Sequence, residues 1–344
     1  MRNMNLPQQT RRQFFQTTAA ATSLAVGGGM VRAADRYHDL PSSNLLGKVE
    51  ILAEVKDDEV FTEGPAVDRA GNLLFTNVPV SKILKWDPAS KQLTTYQTDS
   101  NETNGLAFDP QGRLIACEGG ARQVTRTDPT AKRIDVLADG YAGKQLAKPN
   151  DVCLDRAGRI YFTSRSAIED PAGENPKGVY RIDPDGGVHR LLAWPDVHMP
   201  NGIVTSPDDK TLYLIEAHPD ADHHRDIRAF DLAEDGSISN GRVLINFYPG
   251  RSGDGMCIDA SGNLVVAAGL HKTRKTSETL DTKPGIHVVS PQSKLLAFRE
   301  TPVDTITNCT FGGDDLRTLY VTCGNLLLSI KTAIPGKPSY RPKA

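Results

Sequence analysis

Six polar residues recur along the chain, and each opens a segment with the same pattern of short strands and turns. These opener residues are Glu63, Asn104, Asn150, Asn201, Asp254 and Asn308. Two are carboxylates and four are amides, so all six present oxygen, and no lysine or arginine occupies this position in any segment. Oxygen ligands of this kind suit a hard cation such as Ca²⁺. If the six side chains meet in space, they form a candidate site for a divalent metal.

The alternative for any single segment is that its Asn-Gly or Asp-Gly pair is only a turn dipeptide at a strand start. Six copies in the same register favour a shared site over six separate turns. Two converging carboxylates would repel each other without a cation, and one of them would have a raised pKa. A bound divalent ion removes that repulsion.

The segments that carry the openers predict the architecture. They are EGPAVDRAGNLLFTN, NGLAFDPQGRLIACE, NDVCLDRAGRIYFTS, NGIVTSPDDKTLYLIE, DGMCIDASGNLVVAA and NCTFGGDDLRTLYVT, and they start 41 to 54 residues apart. Each reads as a strand, a Gly or Asp turn and a second strand, and a further pair of strands usually follows. This period is typical of a propeller. We therefore predict an all-β fold, a six-bladed β-propeller with four-stranded blades around a central channel, in which the N-terminal strand KVEILAEV closes the last blade.

The innermost strand of each propeller blade lines the channel, so the openers are expected at one level around the axis. Long connections should lie on the same face, at residues 165–177, 217–226 and 269–284. These connections carry His218, His223, His224 and His271. Solvated loop histidines are one interpretation, and a second metal or a general acid is the other. His218 and His271 stand nearest the strand ends, and His271 is our candidate for contact with a substrate.

The same motifs resemble those of the gluconolactonase, regucalcin (senescence marker protein) and luciferin-regenerating-enzyme-like family of six-bladed propellers. Five of them occur in order and the similarity covers nearly all of residues 48–332: FTEGPAVDRAGNLLFTN, NGLAFDPQGRLIACEGGARQVTRTDP, KPNDVCLDRAGRIYFTS, MPNGIVTSPDDKTLYLIEA and GDGMCIDASGNLVVA. The resemblance implies one divalent metal in the channel. It assigns the ligands as Glu63, Asn150, Asn201 and Asp254. It also implies substrate contacts from Asn104, Glu118 and Arg122.

The resemblance further implies a metal-dependent hydrolase that opens a small-molecule sugar lactone to its acid. The metal would act as a Lewis acid on the lactone carbonyl. Asp254 would serve as the general base, with Glu63 as the second candidate. Ca²⁺ is the leading ion, and Zn²⁺, Mg²⁺ and Mn²⁺ are alternatives. The chain lacks a G-x-S-x-G motif, which disfavours a serine esterase.

Two other functions remain open for the same architecture. One is hydrolysis of a phosphotriester or another ester at the same metal, because a fold does not determine a reaction. The other is a non-catalytic propeller that binds a partner, in which the metal only joins the blades.

The N-terminal segment TRRQFFQTTAAATSLAVGGGMVRAADR has the features of a twin-arginine export signal. Arg11 and Arg12 precede a mildly apolar run, and Val31 and Ala33 provide small residues for cleavage. We predict a signal at residues 1–33, a linker at 34–47, the propeller at 48–335 and a tail at 336–344. The predicted location is periplasmic or secreted, with the twin-arginine machinery as the partner in transit.

Composition excludes several other classes of protein. Lys plus Arg number 40 and Asp plus Glu number 42, so the net charge of −2 offers no footprint for nucleic acid. No run of 18 apolar residues follows the first 35, so no membrane span is expected in the mature chain. The five cysteines include no C-x-x-C pair, and most lie in strand-like runs. Buried free thiols are expected, and a disulfide in an oxidising compartment is the alternative.

Overall fold

The computed structural model describes residues 36–128, 130, 133–165 and 175–337. The described residues from Tyr37 onwards belong to one compact unit. The predicted export signal and residues 338–344 of the predicted tail lie outside the described residues. Across the described ranges there is no helix that is both long and apolar enough to cross a membrane.

Within the described residues, the chain forms six antiparallel four-stranded sheets. Their inner strands are β2 (Thr62–Val67), β6 (Thr103–Phe108), β12 (Lys148–Leu154), β16 (Pro200–Thr205), β20 (Gly253–Ile258) and β24 (Ile306–Gly312). The second strands are β3 (Leu73–Asn77), β7 (Leu114–Glu118), β13 (Ile160–Arg165), β17 (Thr211–Ala217), β21 (Leu264–Ala268) and β25 (Thr318–Cys323). The third strands are β4 (Lys82–Asp87), β8 (Gln123–Thr127), β14 (Gly178–Ile182), β18 (Arg225–Leu232), β22 (Gly285–Val289) and β26 (Leu326–Thr332).

The outer strands complete the sheets, which we number as blades 1 to 6 in the order of their inner strands. They are β5 (Gln92–Gln97), β9 (Ile134–Ala138), β15 (Val188–Ala193), β19 (Ile238–Asn246), β23 (Leu295–Glu300) and, in blade 6, β1 (Leu46–Glu54). A small hairpin joins β10 (Gly140–Tyr141) to β11 (Lys144–Gln145), and a 3-10 turn spans Ser42–Asn44.

The blades form a closed ring, which confirms the predicted six-bladed all-β propeller. Each inner strand contacts the inner strand of the next blade, and β24 contacts β2. The sheet of blade 6 runs β1–β26–β25–β24, so its outer strand comes from the N-terminal side of blade 1. Blade 6 therefore combines both ends of the described propeller sequence.

Hydrophobic clusters between neighbouring blades hold the ring together. Between blades 6 and 1, for example, Tyr320 and Leu327 pack against Phe75 and Trp86. Inner and second strands are almost wholly buried, whereas outer strands such as β5 are mostly exposed. The apolar side chains of the strands are thus buried where one blade packs against the next.

The inner strands approach each other so closely that the residue after the opener has little room. In four blades this residue is glycine. A Cβ on Gly64 would collide with the backbone oxygen of Asn104, and Gly64 also has φ of +44°. A Cβ on Gly255 would collide with the side chain of Asn308. Glycine is required at these two positions because only a residue without a side chain fits.

The C-terminal segment crosses the end of the channel opposite the openers. Gly336 donates its N–H to the Leu316 oxygen at 2.8 Å, and Lys337 donates its N–H to the Ile258 oxygen at 2.9 Å. The Lys337 Nζ donates to Thr205 Oγ1 at 2.7 Å. Residues 336–337, which the sequence predicts as the start of a tail, therefore connect blade 6 to blades 5 and 4.

Replacing Gly64 by Ala tests the close approach of the inner strands. We expect Gly64→Ala to lower the free energy of unfolding by about 2–4 kcal/mol, because overpacking adds to the strain of a positive φ. The matched control is Gly71→Ala, where φ is +87° but no atom lies within 4 Å of the added Cβ. Its expected cost is about 1 kcal/mol. Urea unfolding of both variants measures the difference, and equal losses would contradict this account of the channel.

Candidate functional site

The openers lie near the start of the six inner strands, at the end of each blade where the second strand finishes. Glu63 is opposite Thr76 in the register of β2 and β3. Glu63, Asn150, Asn201, Asp254 and Asn308 are at most 6% exposed, and Asn104 is half-buried. The predicted positions on the inner strands are therefore observed, and most of these polar side chains are buried at the channel.

Direct contacts join openers from different blades. Asn201 Nδ2 donates to Asp254 Oδ1 at 2.5 Å. Asn308 Nδ2 lies 3.5 Å from Glu63 Oε2, at the limit of a hydrogen bond. The buried Oδ1 of Asn150 has no hydrogen-bond partner among the residues that the structure describes. An unpartnered buried acceptor is costly, so this atom is available to accept a hydrogen bond from water or to bind a ligand in the channel.

A third carboxylate, Asp151, enters the channel beside the openers. It follows Asn150 and occupies the position where four other blades have glycine. The register of β12 against β13 shifts between Pro149 and Val152, and such a bulge redirects side chains. Asp151 Oδ2 lies 3.5 Å from Asn308 Nδ2, and its Oδ1 accepts the Val152 N–H at 2.9 Å. Sequence reasoning missed this residue, although the departure from the Gly pattern was the signal that marks it.

Neighbouring buried carboxyl groups raise the pKa values of Glu63 and Asp151 in the channel, because little water screens their charges. Burial, followed by the negative charges of Asp254 and Asp151, raises the pKa of Glu63 well above its ordinary value. The Gly64 N–H and the charge of Arg165 oppose this effect. Burial also raises the pKa of Asp151 to about 7, although hydrogen bonds lower it. A positive charge bound in the channel would therefore favour the ionised forms of both groups.

A buried arginine from outside the opener register pairs with Asp254. Arg251 Nη2 contacts Asp254 Oδ2, and Arg251 Nη1 donates to the Ile306 oxygen at 3.1 Å. A second bond from Nη1 reaches the Gly269 oxygen at 3.3 Å. The sequence showed no cation at the opener position, and it did not indicate that Arg251, three residues earlier, reaches the channel. Asp254 is thus held by Arg251 on one oxygen and by Asn201 on the other.

The donor set of the channel is mixed. No three His, Cys, Asp or Glu side chains in the described part of the chain are grouped to hold a metal ion. A cation at the openers would therefore draw on amide oxygens as well as carboxylates. Such oxygen sets suit hard cations.

The other predicted substrate residues lie towards the loop face, where each contacts its own neighbours. Glu118 accepts hydrogen bonds from Thr125 Oγ1 at 2.6 Å and from the amides of Asn101 and Gln123, both at 2.8 Å. Arg122 is half-buried, with its Nη1 3.5 Å from Gln145 Oε1. Glu118 is therefore fixed by three donors at the end of β7.

His271, the remaining candidate, is held by the loop between β23 and β24. Its Nε2 lies 2.8 Å from the Thr301 oxygen, and its N–H lies 3.4 Å from Asp304 Oδ1. The ring is half-buried. These contacts orient His271 on the same face as the openers.

Four histidines form a cluster on the loops of blade 4, which includes His198, a residue that sequence reasoning did not single out. The rings of His198 and His224 stack at 4.1 Å, and those of His218 and His223 stack at 3.8 Å. Burial lowers the pKa of both His198 and His218 to about 4, so these imidazoles are neutral at pH 7. The Nδ1 atoms of His198 and His218 each accept a backbone N–H. These bonds occupy one lone pair of each ring.

Glu216 lies beneath this cluster at the end of β17 and is wholly buried. Its carboxylate accepts the backbone N–H groups of Met199 at 2.7 Å and of His198 at 3.1 Å. Burial raises the pKa of Glu216 to about 7, and the backbone donors and the charge of Arg228 only partly oppose it. Glu216 was also missed from the sequence, because a single acid at the end of an apolar strand carries no distinctive pattern.

Comparison with known proteins agrees with the resemblance that the motifs indicate. The family model described as SMP-30/Gluconolactonase/LRE-like region matches residues 61–325. A gluconolactonase of Zymomonas mobilis is 26% identical over 311 residues, which cover 83% of this chain and 81% of the relative. Regucalcin of Bos taurus is 31% identical over 284 residues, with 81% of this chain and 88% of the relative covered.

Solved structures show the same similarity. A gluconolactonase from Xanthomonas campestris superposes with a TM-score of 0.70 at 28% identity, and the match covers 86% of this chain and 95% of that one. A luciferin-regenerating enzyme superposes with a TM-score of 0.67 at 21% identity, covering 87% of this chain and 100% of that one. The second likeness concerns the fold alone.

The buried carboxyl of Glu216 predicts a pH dependence of stability. Its folded-state pKa of about 7 exceeds the ordinary value of 4.5, so the folded state binds the proton more tightly than the unfolded state does. The stability contributed by the protonated form is present below pH 4.5 and is lost as the pH rises through 7. We therefore compare the free energies of unfolding of Glu216→Gln and the wild type. The value for Glu216→Gln minus that for the wild type should rise by about 2–3 kcal/mol as the pH increases from 4.5 to 8.

Urea unfolding at several pH values checks this expectation, since other titrating groups contribute equally to both proteins. Glu300→Gln, at an exposed position at the end of β23, is the matched control and should show no such relative gain. A constant difference between Glu216→Gln and the wild type across this pH range would contradict the assignment.

Proposed function

Because the chain belongs to the SMP-30/gluconolactonase/LRE-like family, we propose that it is a lactonase, which hydrolyses a sugar lactone to the open-chain acid at the openers. The observation that carries the proposal is that the buried carboxyls of Glu63 and Asp254 interact in the channel, where the opener Asn150 has an Oδ1 without a partner among the described residues. The relatives named gluconolactonase, at 26% and 28% identity, support a lactone as the substrate class. The reaction class is therefore hydrolysis of a cyclic carboxylic ester.

The channel residues fit a divalent cation. The Asn150 Oδ1, which has no partner in the described part of the chain, and the mutual repulsion of the channel carboxylates both favour a positive ligand. We assign Glu63, Asn150, Asn201 and Asp254 as the residues that would hold it. Ca²⁺ is the first candidate, and Zn²⁺, Mg²⁺ and Mn²⁺ are the alternatives. When bound, the ion supplies Lewis-acid polarisation of the lactone carbonyl and compensates negative charge.

Asp254 is our candidate for the general base. Its two oxygens are held by Asn201 and Arg251, so the carboxylate has a fixed orientation. A positioned carboxylate accepts the proton of the attacking water and later returns it to the ring oxygen that leaves as the sugar hydroxyl. Glu63 is the second candidate, because its buried carboxyl lies among the openers and burial raises its pKa above the ordinary value.

The residues at the loop face are the proposed substrate contacts. Asn104 is half-buried at the rim, where its amide can bind a sugar hydroxyl. Arg122, Glu118 and His271 are the remaining candidates, and their own hydrogen bonds orient them.

The lactonase proposal predicts the effect of Asp254→Asn. We expect kcat/KM to fall about 10²–10⁴-fold, because the amide cannot accept the proton. Acid release from glucono-1,5-lactone in weak buffer measures turnover, after subtraction of spontaneous opening. Asp235→Asn, in an exposed turn, is the matched control and should keep wild-type turnover. An Asp254→Asn protein that binds metal and keeps full turnover would overturn the base assignment.

The same assay tests the metal in the wild type. Turnover should vanish after treatment with a chelator and return when the working ion is added back. A wild-type chain that binds an ion stoichiometrically but does not open the lactone would contradict the lactonase proposal. A parallel phosphotriester assay would then distinguish another ester hydrolase from a binding propeller.

We also propose that residues 1–33 direct export to the periplasm or beyond by the twin-arginine machinery. The paired arginines and the small residues before position 34 support this proposal. In a bacterial host with this machinery, we expect the wild type to be cleaved after Ala33 and to leave the cytoplasm. The double variant Arg11→Lys/Arg12→Lys should remain cytoplasmic and uncleaved, whereas Arg2→Lys should be exported. Immunoblots of cell fractions provide the readout, and export of the double variant would refute this route.

A further inference from the structure

Two cysteine sulfurs are in contact where blade 5 meets blade 6. Cys257 lies on β20 and Cys309 lies on β24, and their Sγ atoms are 3.5 Å apart. All five cysteines lie in the described part of the chain, and all are free thiols in this structure. The other sulfur contacts are to backbone oxygens, such as that of Cys117 to Asp151 and that of Cys323 to Val303. Cys257 and Cys309 are therefore the pair that spatial proximity selects.

The backbones that carry this pair are close to each other. A Cβ on Gly255, two residues before Cys257, would collide with the side chain of Asn308, which directly precedes Cys309. A disulfide needs short Cα separations and an S–S distance of about 2.0 Å. Sulfurs already in van der Waals contact reach that distance by a small rotation of each side chain.

The pair also borders a cavity in the channel. A cavity of about 190 Å³ lies beneath the openers, on the side where the C-terminal segment crosses the channel. Its lining includes Cys257, Cys309, Cys153 and Met256, with Lys337 at its far end. Cys257 is partly exposed, and Cys309 is 3% exposed. An oxidant therefore meets Cys257 first, and Cys309 is in position to complete the bond.

We propose that Cys257 and Cys309 form a disulfide that links the inner strands of blades 5 and 6. The oxidant is a small-molecule disulfide. The Cys257 sulfur attacks it and releases one thiol, and the Cys309 sulfur then displaces the second thiol from Cys257. One S–S bond forms as one breaks, and the two cysteine protons end on the two released thiols.

The disulfide acts on stability and on the position of the channel residues. It closes a loop that contains strands β21, β22 and β23, which restricts the unfolded chain. It also ties the strand of Asp254 to the strand of Asn308, next to the openers. Burial raises the pKa of the Cys257 thiol well above its ordinary value, so the exchange is slow at neutral pH and accelerates in alkaline solution.

The test uses the full chain, incubated with oxidised glutathione at pH 8.5 or kept reduced. Free thiols are then alkylated in denaturant without reduction, and the peptides are identified by mass spectrometry. In the oxidised wild type we expect linked peptides that contain Cys257 and Cys309, with three thiols alkylated. Oxidation should raise Tm by about 5 °C, because the closed loop destabilises the unfolded state.

Three variants separate this pairing from other outcomes. Cys257→Ala and Cys309→Ala should each keep four alkylated thiols after oxidation and show no rise in Tm. Cys153→Ala removes a cysteine of the same cavity and should retain both the linked peptides and the rise in Tm. Five alkylated thiols in the oxidised wild type, stable glutathione adducts without a cross-link, or a bond through a different cysteine would each overturn the proposal. The peptide identification in the wild type decides the pairing even if a variant fails to fold.

Discussion

The close packing of six inner strands around one axis constrains the rest of this structure. In four blades the residue after the opener is glycine, because a Cβ there would collide with the next blade, at its backbone for Gly64, Gly105 and Gly202 and at the Asn308 side chain for Gly255. The polar openers directly precede these positions on the inner strands and lie at one end of the channel. The hydrophobic clusters between blades supply the burial that keeps these strands together. The ring is therefore apolar between its blades and polar at one end of its channel.

This packing concentrates negative charge in a dry interior. Glu63, Asp151 and Asp254 are all buried, and the pKa values of Glu63 and Asp151 are raised as a result. Arg251 compensates Asp254 directly, and Arg165 acts on Glu63 from farther away. In the protein without a ligand, burying these like charges close together is unfavourable. A bound cation or a polarised substrate relieves that cost, which is the physical link between the stability of the channel and the chemistry that we propose for it.

The two ends of the channel differ in what they offer. The opener end carries the histidine cluster and the buried carboxyl of Glu216, so polar side chains gather at this end. At the other end, Gly336 and Lys337 connect blade 6 to blades 5 and 4. Beside them lies the cavity that is lined by cysteine and methionine side chains. The cavity is lined by Asn308 and Asp151 as well as by Cys257 and Cys309, so the thiols adjoin the oxygen donors of the channel.

The sequence alone determined the six-fold repeat, the four-stranded blades and the positions of the openers, because the periodicity of turn and strand residues is local along the chain. It also indicated that Glu63 and Asp254 belong to one site, since a closed ring brings equivalent positions to one axis. Only the tertiary structure showed that Asp151 enters the channel, because a bulge turns consecutive side chains towards it. Likewise, the pairing of Arg251 with Asp254 and the contact of Cys257 with Cys309 depend on side-chain directions and on the distance between neighbouring strands. The sequence repeat does not specify side-chain directions or the distances between neighbouring strands. Both depend on how the blades pack together.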